Sequence, residues 1–346
     1  MPVINKTAID ENSDVTTTTT MLHEVLPITG AILSGTYVDG AVETNIKNYS
    51  HGMFQSVYDY PYLSSSANHI IDLTIGYDET SAYNNVNAVQ NSKKKNLYNQ
   101  FAQLLLGYTS STSDSIRKFE SDLSLDGVGT MNEVFFITFS RLLTKDQIKR
   151  NSFSIAFGTG SATTPFANVK TLTDASASYG SDGGVAPSIG GDYGVLYDAT
   201  NTAYGVLFYQ AGMAVVTSSV FAGVDDFGGV SSTPVEVVMS GSAITASCDS
   251  LRHRIQNVSF NNTTEINSTI YFCRVPHNQY NYSSNPTYLS GSKLRVKNQE
   301  TDNPVSYITT VGLYNSANEL LAVAKLSEPL RKDPTQDITL RIRTDF

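Results

Sequence analysis

The sequence predicts a mainly β protein with an α+β N-terminal part and an antiparallel C-terminal β-sandwich. Three observations support this fold class. Runs of alternating apolar and polar residues recur along the chain, only one long segment has a helical period, and 20 Tyr and 15 Phe supply bulky side chains for a core. Charged residues make up 16 %, against about 25 % in typical soluble domains, so the surface is polar but weakly charged.

The first 20 residues contain no pattern that could build a core. The stretch SDVTTTTT at 13–20 is polar and repetitive. Such a segment stays mobile unless a partner orders it, because it has too little apolar surface to offset the loss of chain entropy. The sequence therefore predicts a flexible N-terminal arm over residues 1–20.

Residues 21–158 place strands on both sides of one helical segment, which predicts an α+β domain. HIIDLTIGYD at 69–78 alternates, with Ile71, Leu73 and Ile75 on one face. EVFFITF at 133–139 is strongly apolar. Both segments predict strands.

The helical segment lies between these two strands. Its apolar residues recur at the helical period: Leu97, Phe101, Leu104 and Leu105. This spacing predicts one amphipathic helix over about 92–106, and Gly107 is well suited to the position just after its end. Lysines at the start of the helix oppose its dipole, so the helix is expected to depend on packing.

Residues 159–245 are predicted to form a Gly-rich β insert or small β domain. Fourteen of the 24 glycines lie between residues 158 and 245. GVLY and GVLFY flank residues 198–202, which predicts a hairpin. Gly205 inside the second strand indicates a bulge or a close approach of two backbones.

Residues 246–346 are predicted to form the antiparallel β-sandwich-like domain. About six alternating runs follow one another at hairpin spacing. LLAVA at 320–324 is apolar on both faces, which predicts a central strand covered on each side. Residues 315–318 are predicted to form the turn before it, and ITLRIR at 338–343 an edge strand.

No motif in the sequence predicts catalysis, so the chain is expected not to be an enzyme and to use no cofactor. The five histidines show no metal-binding spacing, and neither a phosphate loop nor a nucleophile elbow occurs. Asp182, Asp225 and Asp226 lie in Gly-rich loops, where binding of a hard cation is the alternative to solvation. Solvated carboxylates are the favoured interpretation, and no metal site is predicted.

Charge and hydropathy exclude two classes of partner. The formal net charge is −9, and the one basic run, at 93–95, is short. We interpret this run as a solvated helix start, so there is no nucleic-acid signature. No apolar run reaches the roughly 20 residues that span a membrane. Cys248 and Cys273 match no zinc or redox motif, and two thiols in so long a chain indicate folding in a reducing compartment.

Two tyrosine-rich loops are the candidate interfaces. SVYDYPYLSSS contains Tyr58, Tyr60 and Tyr62, and QYNYSSNPTYL contains Tyr280, Tyr282 and Tyr288. Tyrosine supplies a large contact area at low entropic cost, as in antibody paratopes. The alternative is that these side chains fold back over the protein. Two such loops in one chain favour the interface.

Long segments of the sequence resemble structural proteins of tailed bacteriophage virions. In the C-terminal part the resemblance lies in NYSSNPTYLSGSKLRV and PVSYITTVGLYNSANELLAVAKLSEPLRKD. In the N-terminal part it lies in HIIDLTIGYD, KKKNLYNQFAQLLLG and MNEVFFITFSRLLTKDQIKRNSFSIAFGTG, and YGVLFYQAGMAVV fits as well. It covers most of residues 50–346 and does not fix a place in the particle.

The resemblance implies a subunit of the virion that is synthesised and folded in the host cytoplasm. Its expected partners are other virion proteins and copies of itself, and it implies no cofactor and no catalytic residues. A tail or baseplate position is the first expectation, and neck or capsid-associated positions remain open. The second interpretation is a receptor- or glycan-binding virion module that presents residues 159–245 to a host-surface glycan.

Overall fold

The computed structural model of the chain describes residues 6–35, 37–40, 42–63, 68–84, 90–109, 115–177, 184–281, 289–290, 293–294, 301 and 304–346. Strands account for 44 % and helices for 15 % of the protein. The predicted fold class is confirmed: the protein is mainly β, with a large antiparallel sheet and a C-terminal antiparallel β region.

Twenty strands are assigned in the described residues. They are β1 (Val15–Thr29), β2 (Val38–Asp39), β3 (Val42–Glu43), β4 (Ile46–Asn48), β5 (Gln55–Tyr58), β6 (His69–Tyr77), β7 (Glu133–Phe139), β8 (Gln147–Ile148), β9 (Ser154–Gly158), β10 (Val169–Thr173), β11 (Val185–Ser188), β12 (Gly191–Tyr197), β13 (Ala203–Phe208), β14 (Met213–Thr217), β15 (Ile255–Val275), β16 (Leu289–Ser290), β17 (Lys293–Leu294), β18 (Ser306–Tyr314), β19 (Leu320–Lys332) and β20 (Ile338–Asp345).

Five α-helices and two 3₁₀ turns complete the described elements. The helices are α1 (Gly30–Ser34), α2 (Asn91–Leu105), α3 (Arg141–Thr144), α4 (Val235–Ser240) and α5 (Ile244–Arg252), and the 3₁₀ turns are Pro165–Ala167 and Ser218–Phe221. The chain divides into two compact units. Unit 1 comprises Met1–Met21 and Glu265–Phe346, and unit 2 comprises Leu22–Thr264. The chain passes from one unit to the other within β1 and again within β15.

Unit 2 is built on an antiparallel sheet with the strand order β9-β10-β12-β13-β14-β7-β6-β5-β4. Because side chains alternate across a strand, the central strand β7 supplies two cores. Phe135 and Ile137 join a core that contains α4 and α5, whereas Val134 and Phe136 join a second core that contains α2. A strand buried on both faces needs apolar residues at every position, which explains the run predicted at 133–139.

The predicted helix is confirmed as α2, and Gly107 takes the left-handed conformation just after it, at φ 77°. The basic run at its start is not uniformly solvated, so this part of the interpretation is wrong. Lys94 is fully buried, and its ammonium group donates to the carbonyl oxygens of Met239 and Gly241 at the end of α4. Burial lowers the pKa of Lys94 to about 8.

The hairpin predicted around residues 198–202 is confirmed as β12 and β13. Asp198 Oδ1 accepts from the backbone N–H groups of Thr200 and Thr202, at 2.8 and 2.9 Å, and this closes the turn. The close backbone approach predicted at Gly205 is also confirmed. A Cβ atom at this position would lie 2.3 Å from the carbonyl oxygen of Val215 on β14, so only glycine fits.

Residues 159–245 do not form a separate insert. Strand β14 pairs with β7 in register from Met213 opposite Thr138 to Thr217 opposite Val134. The strands predicted as an insert therefore lie inside the sheet begun by β4–β7, and both segments belong to unit 2. The sheet therefore continues across the change in glycine content.

Unit 1 contains the C-terminal strands and the first part of β1. Strand β20 pairs with β15, from Val275 opposite Ile338 to Ser268 opposite Asp345. Strands β18 and β19 form a two-stranded sheet. Residues 15–20, predicted to belong to the flexible arm, lie in β1 instead, and the backbone N–H of Phe272 donates to Asp14 O at 2.8 Å. Pairing with β15 supplies the hydrogen bonds that threonine-rich sequence alone could not predict.

Candidate interaction surfaces

One predicted tyrosine loop lies at the edge of the unit 2 sheet, beside its last strand β4. The polar and aromatic side chains gathered there are called the tyrosine edge: Lys47, Tyr49, Ser56, Tyr58, Tyr62, His69 and Asp72. The sheet register creates this cluster, because Lys47 lies opposite Ser56 on β5 and Ser56 lies opposite Asp72 on β6.

The aromatic rings of this edge contact one another and one lysine. The ring centroid of Tyr58 lies 5.9 Å from that of Tyr62 and 5.5 Å from that of His69. The ammonium nitrogen of Lys47 lies 4.7 Å from the ring centroid of Tyr49 and 5.7 Å from that of Tyr62. Both distances are within the range of cation–π attraction. Two of the three predicted tyrosines are therefore brought together here.

Tyr60 is the exposed member of the predicted loop. Its side chain is 45 % exposed, and its ring stacks on Tyr37 at a centroid distance of 5.7 Å. Tyr58 and Tyr62 are only partly exposed. Part of the loop therefore folds back over the sheet while Tyr60 stays open to solvent, and the interface itself stays a prediction.

Asp72 is the electrostatic centre of the tyrosine edge. Its Oδ1 atom accepts hydrogen bonds from the hydroxyl of Ser56 and from Nε2 of His69, the latter at 2.9 Å. The bond to Asp72 raises the pKa of His69. Burial, with help from Tyr49 and the charge of Asp72, raises the pKa of Tyr58 to about 12. The edge is thus a hydrogen-bonded polar cluster in which Tyr58 stays protonated at neutral pH.

This arrangement does not resemble a nucleophilic triad. In such a triad the imidazole lies between the hydroxyl and the carboxylate, so that it can take the hydroxyl proton. Here the carboxylate of Asp72 lies between Ser56 and His69. The cluster can therefore fix the orientation of its side chains and offer polar and aromatic contacts to a partner.

The second predicted tyrosine loop belongs to unit 1. Tyr280 has φ 56°, and its hydroxyl lies 3.0 Å from Oγ1 of Thr7. The hydroxyl of Ser306 donates to the carbonyl oxygen of Tyr280. Tyr282 and Tyr288 lie outside the described residues, so this part of the predicted interface stays a prediction.

The described residues of unit 1 form no hydrophobic core, which the sequence did not predict. Val275 is the one hydrophobic residue of this unit that is buried among the described residues, and it belongs to neither core cluster. In β18, β19 and β20 the side chains instead alternate mainly between exposed and half-buried.

The predicted coverage of residues 320–324 is therefore wrong. Leu321 is 69 % exposed and Val323 is 52 % exposed, although the hairpin and its turn are present as predicted. The backbone N–H of Glu319 donates to Oδ1 of Asn315 at 2.8 Å, which closes the turn. A pattern that is apolar on both faces indicates strands that need cover, and the described part of the chain supplies none to this hairpin's exposed face.

Asp226 has a structural partner in unit 2. Its Oδ1 lies 3.1 Å from Nη2 of the buried Arg254, and its Oδ2 accepts from the backbone N–H of Ala162 at 2.6 Å. Arg254 also donates to the carbonyl oxygen of Gly160 at 2.7 Å. The carboxylate therefore ties two loops together, beside a groove of about 710 Å³ lined in part by Phe227 and Val238.

The other loop carboxylates predicted as candidates for a cation do not form a described cluster. Asp225 is exposed and Asp182 lies outside the described residues. Across the part of the chain that the structure describes, no group of three or more His, Cys, Asp or Glu side chains could hold a metal ion. No described helix is both long and apolar enough to cross a membrane. Both cysteines are free thiols, with Cys248 buried in the core of unit 2.

Much of residues 185–217, part of the segment predicted as an exposed module, is buried in the unit 2 sheet. Val195 and Leu196 on β12, Val206 and Leu207 on β13 and Val215 on β14 are buried. These strands lie in the middle of the sheet, and host binding by the loops between them stays a prediction.

Comparison with models of protein families, with curated proteins and with solved structures found no match.

Proposed function

We propose that the chain is a structural subunit of a tailed bacteriophage virion, in the tail or baseplate, and that it acts by protein–protein assembly. The observation that carries the assembly part is the composition of unit 1, which has strands but no hydrophobic core among its described residues. The place in a virion rests on the sequence resemblance described above.

The physical argument concerns the free energy of unit 1 by itself. Ordering the backbone costs about 1–2 kcal/mol per residue, and burial of apolar surface is the main term that offsets it. A two-stranded hairpin is marginally stable in water. The exposed Leu321 and Val323 are available to a neighbouring chain, which would supply the missing core. Unit 1 is thus suited to being stabilised by assembly.

The surface composition supports the same function. Large interfaces are depleted in Lys, Glu and Asp and enriched in tyrosine, and this chain combines 16 % charged residues with 20 tyrosines. The tyrosine edge on unit 2 offers a second contact, with Tyr60 as its exposed ring. Two separate contact surfaces on one subunit suit a protein that has several neighbours.

The test is cryo-electron microscopy of native particles from the source of this chain, with the chain traced by its side chains. We expect it in the tail or baseplate, with neighbouring subunits packed on Leu321 and Val323. A chain present at a distal tip with unit 1 bare to solvent would contradict the assembly role and favour receptor binding. Its absence from the particle would refute the virion assignment.

A further inference from the structure

We propose that β18 is a pairing edge for a second copy of this chain, so that two β18–β19 hairpins join through antiparallel β18 strands into one four-stranded sheet. This inference rests on the proposed function, and it names the partner and the contact. Adding a strand to an open sheet edge is a common mode of protein association.

The edge of β18 that faces away from β19 is open within the described part of the chain. Strand β18 has β19 as its one partner there, and no other backbone hydrogen bond of the described residues involves residues 307–314. The strand is nine residues long, and where its pairing with β19 breaks, four residues of β19, 326–329, lie opposite the single residue Thr309.

The two strands of this hairpin differ in how they are protected. Natural proteins guard exposed edges with charged residues and proline. Strand β19 carries such residues at Lys325, Glu328, Pro329 and Arg331. Strand β18, SYITTVGLY, carries neither a charged residue nor a proline. The lack of charged residues and proline on β18, beside a strand that carries them, indicates that the β18 edge pairs with another strand.

The uncharged pattern identifies a second copy as the occupant. Near a twofold axis each residue lies close to its own symmetry mate, so any charge would meet a like charge. Strand β18 avoids this along its full length. A partner with charged residues along its strand would find no complementary charge on β18.

The middle of β18 sets the register. Residues opposite each other in an antiparallel pair share a face, so the twofold axis passes through one residue that lies opposite its own symmetry mate. Thr310 is the middle residue of β18, so we place the axis there, with Thr310 opposite Thr310 of the second copy. Threonine pairs of this kind stabilise antiparallel sheets.

The first test is sedimentation of the full chain over a range of concentrations. Thr310→Lys places two ammonium groups opposite each other at the axis, so we expect its dimer dissociation constant to rise at least about tenfold. Ser327→Lys adds the same charge to an exposed position on β19 and should leave the constant unchanged. A monomeric wild-type chain, or equal effects of the two substitutions, would overturn the proposal.

The second test reads the register directly. In a Cys273→Ser background, Thr310→Cys should crosslink into dimers with a short bis-maleimide, because the two thiols lie beside the axis. Ser327→Cys in the same background should crosslink poorly. Equal crosslinking at both positions would refute pairing through β18. The buried thiol of Cys248 is common to both variants and does not separate them.

The outcomes also separate this inference from the proposed function. If particles contain the chain but the β18 strands of neighbouring copies lie apart, the virion role stands and the pairing is refuted. If the purified chain dimerises with the expected response to Thr310→Lys but is absent from particles, the pairing stands and the virion role is refuted.

Discussion

Lys94 is a buried ammonium group that is held by backbone carbonyls. It donates to two carbonyl oxygens near the end of α4, where the helix dipole favours a cation. The sequence predicted a solvated side chain, because the partner carbonyls lie about 145 positions away along the chain and leave no local signal. Long-range contacts of this kind are the part of the fold that periodicity cannot show.

The lowered pKa of Lys94 predicts a specific dependence of stability on pH. Its value of about 8 in the folded chain compares with 10.5 for an ordinary lysine. Between these values the unfolded chain binds a proton that the folded chain lacks, so the free energy of unfolding rises with pH, by up to about 1.4 kcal/mol per pH unit.

Urea unfolding of wild type and Lys94→Met between pH 7.5 and 10.5 measures this contribution. We expect the unfolding free energy of wild type to increase with pH relative to that of Lys94→Met. Lys95→Met, on the same helix but partly exposed, should show no such shift. Parallel pH profiles for wild type and Lys94→Met would contradict the assignment.

The hydrogen bond between His69 and Asp72 predicts a second pH effect, at lower pH. This bond raises the pKa of His69. The stabilisation that the bond gives the folded chain is therefore complete below about pH 6.5, and it is lost as the pH rises through the raised pKa. In an NMR titration His69 should titrate above its ordinary value in wild type, and Asp72→Asn should lower that value. Glu79→Gln, on the exposed loop after β6, should leave the titration of His69 unchanged. An unchanged His69 titration in Asp72→Asn would disprove the coupling.

At the scale of the element, alternation predicted which segments form strands and failed to predict what covers them. Strands β6 and β7 and the hairpin of β12 and β13 lie where the patterns indicated. The segment at 320–324 has the same double-sided apolar character as β7, yet it is exposed. A pattern reports that a strand requires cover, and it does not report whether the same chain or a neighbour supplies it.

This difference predicts opposite results for one substitution at two places. Val323→Asp puts a carboxylate on the exposed face of β19, so we expect a soluble, folded chain with nearly unchanged melting. Val215→Asp places the same charge in the core of unit 2. The free-energy cost of burying an unpaired charge there exceeds the usual protein stability of about 5–15 kcal/mol, so no soluble protein is expected. Soluble yield and circular-dichroism melting measure both, and insolubility of Val323→Asp would show that β19 is covered.

At the scale of the whole molecule, the two units differ in what holds them together. Unit 2 contains both core clusters, and unit 1 contains none of their residues. Composition predicted boundaries near 20, 158 and 245, and the second and third mark changes in glycine content inside one sheet. Boundaries drawn from composition fail here because pairing of β14 with β7 joins segments about 80 residues apart.

Because both core clusters lie in unit 2, we predict that unit 2 folds without unit 1. A fragment of residues 22–264 should melt cooperatively, because it keeps both cores. In the full chain, amide hydrogen exchange should be slow in β7 and β14 and fast in β18 and β19 until the chain is assembled. A fragment that fails to fold, or equal protection of the hairpin in the unassembled chain, would contradict this division of stability.

The division of the units along the chain has a consequence for biosynthesis. Unit 2 is one continuous stretch, so it can fold while the ribosome is still adding the residues after Thr264. Unit 1 joins residues 1–21 to residues 265–346, so its earliest residues must wait for residues made much later. A nascent chain halted between the two would carry unit 2 with its tyrosine edge but would lack the exposed hairpin of β18 and β19. The order of translation therefore completes unit 2 before unit 1.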